Sequence, residues 1–103
     1  MRYKPRTSPG FYYRTCALHE TRKLDIVRVD HIMPPLADEP SSPSTWWVQF
    51  IGTLADFDAE GPSRWGGAAT WELRLCEFSD WRRWPKNKPL PPKWAAFFER
   101  NPA

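Results

Sequence analysis

The chain has 103 residues, 41% of them hydrophobic and 16% aromatic, with a formal charge of +3. That length is one domain, 1–103, and it buries only roughly two-thirds of the surface its unfolded chain exposes. Stability must therefore lean on large side chains, and seven Trp with six Phe supply them. The longest nearly apolar run, 46–55, is too short to cross a bilayer and is broken by Gln49. Residues 1–6 are basic with no apolar stretch behind them, which argues against a secretory leader. Two cysteines are too few for a disulfide framework, so the expectation is a cytoplasmic protein with reduced thiols.

Charge is segregated. Residues 1–14 hold Arg2, Lys4, Arg6 and Arg14 and no acid, and 81–103 hold six cations against Glu99 alone. The stretch between them has five basic and eleven acidic residues. Either the basic ends fold back on the acidic body, or they present a cationic face to an anionic partner. Residues 1–10 read as a basic N-terminal arm.

Taken in chain order, 11–18 and 24–33 are rich in Tyr, Val, Ile and Thr, which favours strands. The turn between them is poorly marked, and a short helix over 17–24 is the alternative. Apolar positions slip from even (Leu24, Ile26) to odd (Val27, Val29), which a bulge would explain. Residues 34–44, with four Pro and three Ser, form a linker expected to run extended between two hairpins.

The plainest signal follows. Trp46, Val48, Phe50 and Leu54 hold even positions of 45–54, with Gln49 and Thr53 among the odd ones, and Trp71, Leu73 and Leu75 alternate with Glu72, Arg74 and Cys76. That period of two predicts strands near 46–54 and 70–77, paired antiparallel with Trp46, Val48, Phe50, Trp71, Leu73 and Leu75 on one buried face. Trp46 and Trp47, adjacent on a strand, must point to opposite faces, so one of them needs a cover or a partner. Ser79 suits an N-cap for one helical turn over 79–84, which would put Trp81 and Trp84 on one side at i and i+3. Residues 85–92 form a Pro-rich strip. Pro92 then suits the first position of a closing helix, 93–100, whose Trp94, Phe97 and Phe98 share a face. The expected fold class is α+β: a small antiparallel sheet of two hairpins, curved or barrel-like, with a short C-terminal helix packed on it.

No motif specifies chemistry. Asp56-Phe57-Asp58-Ala59-Glu60-Gly61 resembles the opening of an EF-hand calcium loop, but Gly67 stands where the closing Glu is needed and Pro62 replaces a ligating position. Asp56, Asp58 and Glu60 read instead as an acidic loop tip and a candidate anionic contact patch. Cys16, His19, His31 and Cys76 give one close pair and two distant singles, a poor match to the paired spacing of structural zinc sites. No nucleophile elbow and no phosphate-cradling glycine loop is present. The expectation is no enzyme activity, no cofactor, no metal and no small-molecule substrate.

The function expected from these features is that of a small non-enzymatic macromolecule binder, an inhibitor or modulator of a protein or nucleoprotein complex. In size and style it has the character of phage and mobile-element inhibitors, anti-CRISPR proteins among them, though no motif carries that analogy. The alternative is a nucleic-acid-binding module using the basic, Trp-rich ends. The residues expected to meet the partner are Arg82, Arg83, Lys86 and Lys88, with Asp56, Asp58 and Glu60 as the anionic patch. Planar guanidinium forks suit phosphate or carboxylate equally, and Pro85 and Pro89 would stiffen the strip that carries the two lysines.

Overall fold

A computed structural model describes residues 3–16, 23–54, 57, 60–63 and 66–103. Five strands make one antiparallel sheet: β1 (Gly10–Cys16), β2 (Lys23–Met33), β3 (Trp47–Thr53), β4 (Ala68–Arg74) and β5 (Arg82–Arg83). Their order is β4-β3-β2-β1-β5, so the chain meanders to β4 and then returns to add β5 outside β1. A 3-10 turn (Leu75–Phe78) precedes β5, and helix α1 (Pro92–Arg100) closes the chain. The fold is a small α+β architecture, as the periodicities predict.

The sheet is covered on both sides, and this explains most of its sequence. On one face Tyr12, Val27, Val29, Val48 and Phe50 are buried beneath Leu75, Phe78 and Trp81, with Tyr3 and Trp46 alongside. On the other, Ile26 lies beneath Trp84 and the Trp94, Phe97 and Phe98 of α1, with Phe11, Tyr13, Leu24 and Ile51 around them. Trp94 and Phe97 are fully buried. Pro92 opens α1 at its first turn, where its missing N–H costs nothing. Aromatic rings meet edge-on across the helix–sheet contact, as Phe11 and Phe98 do at 5.0 Å.

The slip between Ile26 and Val27 is therefore no bulge. β1 and β2 pair in unbroken register from Gly10↔Val29 to Cys16↔Lys23; Ile26 faces one core and Val27 the other. The irregularity sits further on, between Val29 and His31 against β3. There the extra residue Asp30 lets Ile32 rejoin the face of Val29. Residues 17–22, where a turn or a helix was the question, lie outside the described residues.

The β3–β4 pairing has the expected antiparallel sense, with Val48↔Leu73 and Phe50↔Trp71 in register. Its ends differ from expectation. Leu75 leaves the strand and is buried in the 3-10 turn, its N–H bonded to the Trp46 carbonyl at 2.8 Å. Trp71 remains 37% exposed and Leu54 65%. Trp46 packs on the first core with Nε1 donating to Ser41 Oγ at 2.9 Å, while Arg74 lies over Trp47.

Two further expectations are corrected. The 34–44 segment is not extended: Glu39 N–H bonds back to the Leu36 carbonyl, and Thr45 N–H to that of Ser42. Short Ser and Thr side chains complete these turns by bonding nearby backbone, as Ser42 N–H does to Thr45 Oγ1 at 2.9 Å. The 79–84 segment is not a helical turn. Ser79 ends the 3-10 turn, and Arg82 and Arg83 pair with Tyr13 and Tyr12 as a strand. Extended backbone sends Trp81 and Trp84 to opposite faces of the sheet, one into each core.

Candidate functional site

Two surfaces carry polar chemistry. The first is the edge of the sheet at β5. Arg82 is exposed and lines a groove with Tyr13, Arg14, Thr15 and Asp80. Lys86 and Lys88 stand exposed on the turn that follows, closed by Lys88 N–H to the Pro85 carbonyl at 3.1 Å. The turn is pinned from below, because the buried Trp84 donates Nε1 to the Lys88 carbonyl at 2.8 Å. Lys88 Nζ sits 5.1 Å from the Trp84 ring centroid. The N-terminal arm lies beside this edge: Lys4, Arg6 and Thr7 line a second groove whose other wall includes Phe78, Ser79 and Trp81. Asp80 is the one acidic residue lining either groove among the described residues.

Arg83 differs from its neighbours. Its Nη1 donates to Ser8 Oγ at 2.7 Å, to the Ser8 carbonyl at 3.1 Å and to the Tyr12 hydroxyl at 3.0 Å. Its Nη2 donates to the Pro9 carbonyl at 3.1 Å. These bonds tie the N-terminal arm to the sheet. Arg82, Lys86 and Lys88, in contrast, form no ion pair among the described residues, whose salt bridges are Arg14–Asp25, Arg28–Asp30 and Lys93–Glu60.

Of the proposed anionic patch, Asp56 and Asp58 lie outside the described residues. Glu60 is exposed and pairs with Lys93 of α1 at 2.9 Å, so it is tied to the helix. The zinc candidates are dispersed: His31 is exposed on β2, Cys76 is exposed on the 3-10 turn, Cys16 ends β1 and His19 lies outside the described residues. Among the described residues no group of three His, Cys, Asp or Glu is placed to hold a metal ion, and no helix is long and apolar enough to cross a membrane.

The second surface was not foreseen. On the face of Val27 and Phe50, the 3-10 turn and Trp81 cover only part of the sheet. Beside them a groove of about 310 Å³ opens, lined by Arg14, Asp25, Val27, Phe50, Gly52, Thr53, Trp71, Leu73 and Trp81. That is the lower end of ligand-pocket volumes, roughly 300–1,000 Å³. Arg14 and Asp25 are register partners on β1 and β2. The Arg14 guanidinium lies 4.3 Å from the Trp81 ring centroid and its Nε 3.9 Å from Asp25 Oδ2. The Asp25 side chain is only 14% exposed. Burial pushes its carboxyl up from 3.8 to about 6, against the opposing pull of Arg14 and of a backbone hydrogen bond from Ile26. The available sequence signal was Asp25 itself, an acid of inward parity within an apolar strand, but its meaning depends on pairing with Arg14 across a turn that sequence marks poorly.

No family model matches this chain, and neither a curated protein nor a solved structure shows significant similarity to it.

Proposed function

We propose that this chain is a non-enzymatic binder that inhibits or modulates a protein or nucleoprotein partner through the cationic edge at β5. The observation that carries this reading is a contrast within one short segment. Arg83 spends its donors on Ser8, Pro9 and Tyr12, whereas Arg82 on β5 and Lys86 and Lys88 on the pinned turn are exposed, with no carboxylate in ion-pair range among the described residues. Exposed charges carried on a backbone already held in place lose less entropy on meeting an anionic surface than charges on a free loop would, and they steer its approach. Lys4 and Arg6 extend the same edge.

A protein or nucleoprotein surface is favoured over bare single-stranded nucleic acid because Trp81 and Trp84 are each only 8% exposed. They are committed to the two cores and offer no ring face for base stacking, the usual source of single-strand affinity. The test is a charge reversal at Arg82, Lys86 and Lys88 together, each to Glu. Partner captured from lysate of the source cell, identified by mass spectrometry and titrated against both proteins, should bind the variant at least tenfold more weakly, ~1.4 kcal/mol, with an unchanged melting temperature. Equal affinity for the two proteins rejects the site. Tight binding of arbitrary DNA or RNA that collapses with added salt would move the function to the nucleic-acid alternative.

A further inference from the structure

We propose that the groove between β3–β4 and the Arg14–Asp25 pair is a binding site for a planar heterocycle carrying the hydrogen-bonding edge of guanine. Its walls are the side chains of Phe50, Leu73, Trp71 and Trp81, and Trp71 is one of the few large apolar residues left open to solvent. Its floor is Gly52. A Cβ there would stand 3.1 Å from both Trp71 Cζ3 and Val27 Cγ1, so the absence of a side chain is what lets the Trp71 ring settle against β3. Trp81 is already stacked on Phe78 and covered by Arg14, so the exposed Trp71 is the ring on which a flat ligand would stack, whatever its identity.

The polar end sets the identity. Among the described residues Arg14 and Asp25 are the only charged groups lining the groove, and their charges cancel; β3, β4 and Trp81 contribute no titratable group to it. An added cation or anion would therefore meet one like charge, whereas a neutral ligand meets none. Arg14 offers donors and Asp25 offers acceptors side by side on neighbouring strands. A matching edge has two adjacent N–H donors for the carboxylate and an acceptor next to them for the guanidinium. Guanine has this order: its N1–H and N2–H donate as a pair, and O6 accepts, with N7 beyond. Adenine and cytosine place a bare ring nitrogen beside the amino group, and that nitrogen would face a carboxylate lone pair unless Asp25 were protonated. The raised carboxyl of Asp25 supports this division: ionised it accepts from guanine, protonated it favours the other two.

This site stands apart from the β5 edge reading and is tested apart from it. The probes are guanosine, adenosine and cytidine, titrated into the full chain by calorimetry and tryptophan fluorescence at pH 7.5 and pH 5. Guanosine should bind at ~1 mM or tighter, at least tenfold better than adenosine or cytidine at pH 7.5, and should lose that preference at pH 5. Trp71→Ala, at a solvent-exposed position, and Asp25→Asn should each weaken guanosine at least tenfold while circular dichroism shows the fold intact. Reversing Arg82, Lys86 and Lys88 to Glu should leave guanosine binding unchanged. A guanine-containing single-stranded oligonucleotide that binds more tightly than guanosine 5′-monophosphate would give a strand as the source of the base; equal affinity would give the free nucleotide. No binding of guanosine at millimolar concentration, equal binding of all three nucleosides at pH 7.5, or undiminished binding by folded Trp71→Ala overturns the proposal.

Discussion

The Arg83 guanidinium donates to the Tyr12 hydroxyl at 3.0 Å while lying over the Tyr12 ring, 5.2 Å from its centroid. Strand pairing sets up the contact, because Arg83 and Tyr12 are register partners on β5 and β1. The same guanidinium reaches three acceptors on Ser8 and Pro9, so one side chain joins two strands and the arm before them.

Arg82 and Arg83 therefore separate by function despite being neighbours. Arg83→Ala should destabilise the protein by about 1–2 kcal/mol, the scale of charge-assisted hydrogen bonds at a partly solvated site. Arg82→Glu should stay within ~0.5 kcal/mol of wild type. Urea melts of the two variants check this, and equal destabilisation would mean that Arg82 too is structural.

A pH effect follows from Asp25. The folded carboxyl holds its proton up to about pH 6, whereas in the unfolded chain it is lost near its usual 3.8. Between those values the folded state binds more protons, so stability falls as pH rises through the window and stays lower above it. The penalty at neutral pH is on the order of 2–3 kcal/mol. Asp25→Asn should raise the melting temperature at pH 7.5 and leave it nearly unchanged at pH 4. Thermal melts at the two values decide, and a loss of stability at pH 7.5 would show that the pair with Arg14 outweighs burial. The gain should come with weaker guanosine binding, as ionised groups kept in clefts at a cost to stability often serve a ligand.

The first core centres on Phe50, whose ring lies 6.0 Å from Trp71, 5.7 Å from Phe78 and 6.1 Å from Trp81. Phe50→Ala should cost about 3–5 kcal/mol, a large part of a small domain's stability. Leu36, 72% exposed, should tolerate Ala within ~0.5 kcal/mol. Denaturant midpoints for the pair give the comparison.

Gly61 has φ +143, and a Cβ on it would come 2.5 Å from Lys93 Cβ at the first turn of α1. Gly61→Ala should destabilise by at least about 2 kcal/mol, from backbone strain together with overpacking. A melting temperature equal to wild type would show that the loop and helix can move apart freely.

Where one period dominated, the sequence was enough. Val48 and Phe50 against Leu73 and Trp71 could be paired because one alternating face repeats in both strands, and Trp94, Phe97 and Phe98 because Pro92 marks the start of their helix. In β2 the pattern fails as a guide: Ile26 and Val27 are both buried because the sheet has a core on each side, and alternation is lost when both faces are dry. Trp81 and Trp84 fit a helix face by spacing alone. What makes them a strand is pairing with Tyr12 and Tyr13 nearly seventy residues earlier, which no local rule contains. Arg14, Asp25, Gly52 and Trp71 come from four strands, so the groove exists only after the sheet is assembled. It also opens a question that the expectation of no small-molecule ligand had closed.

The placement of Trp81 and Trp84 on opposite sides of a two-residue strand has a consequence for how the molecule opens. Peeling β5 from β1 withdraws an indole from each core in the same step, so neither hydrophobic layer can loosen while the other stays shut. Amide exchange at Tyr12 and Phe50, whose side chains lie in one layer, should therefore share its opening free energy with Phe97 and Phe98, whose side chains lie in the other. Two layers fastened by a single short strap behave as one cooperative unit.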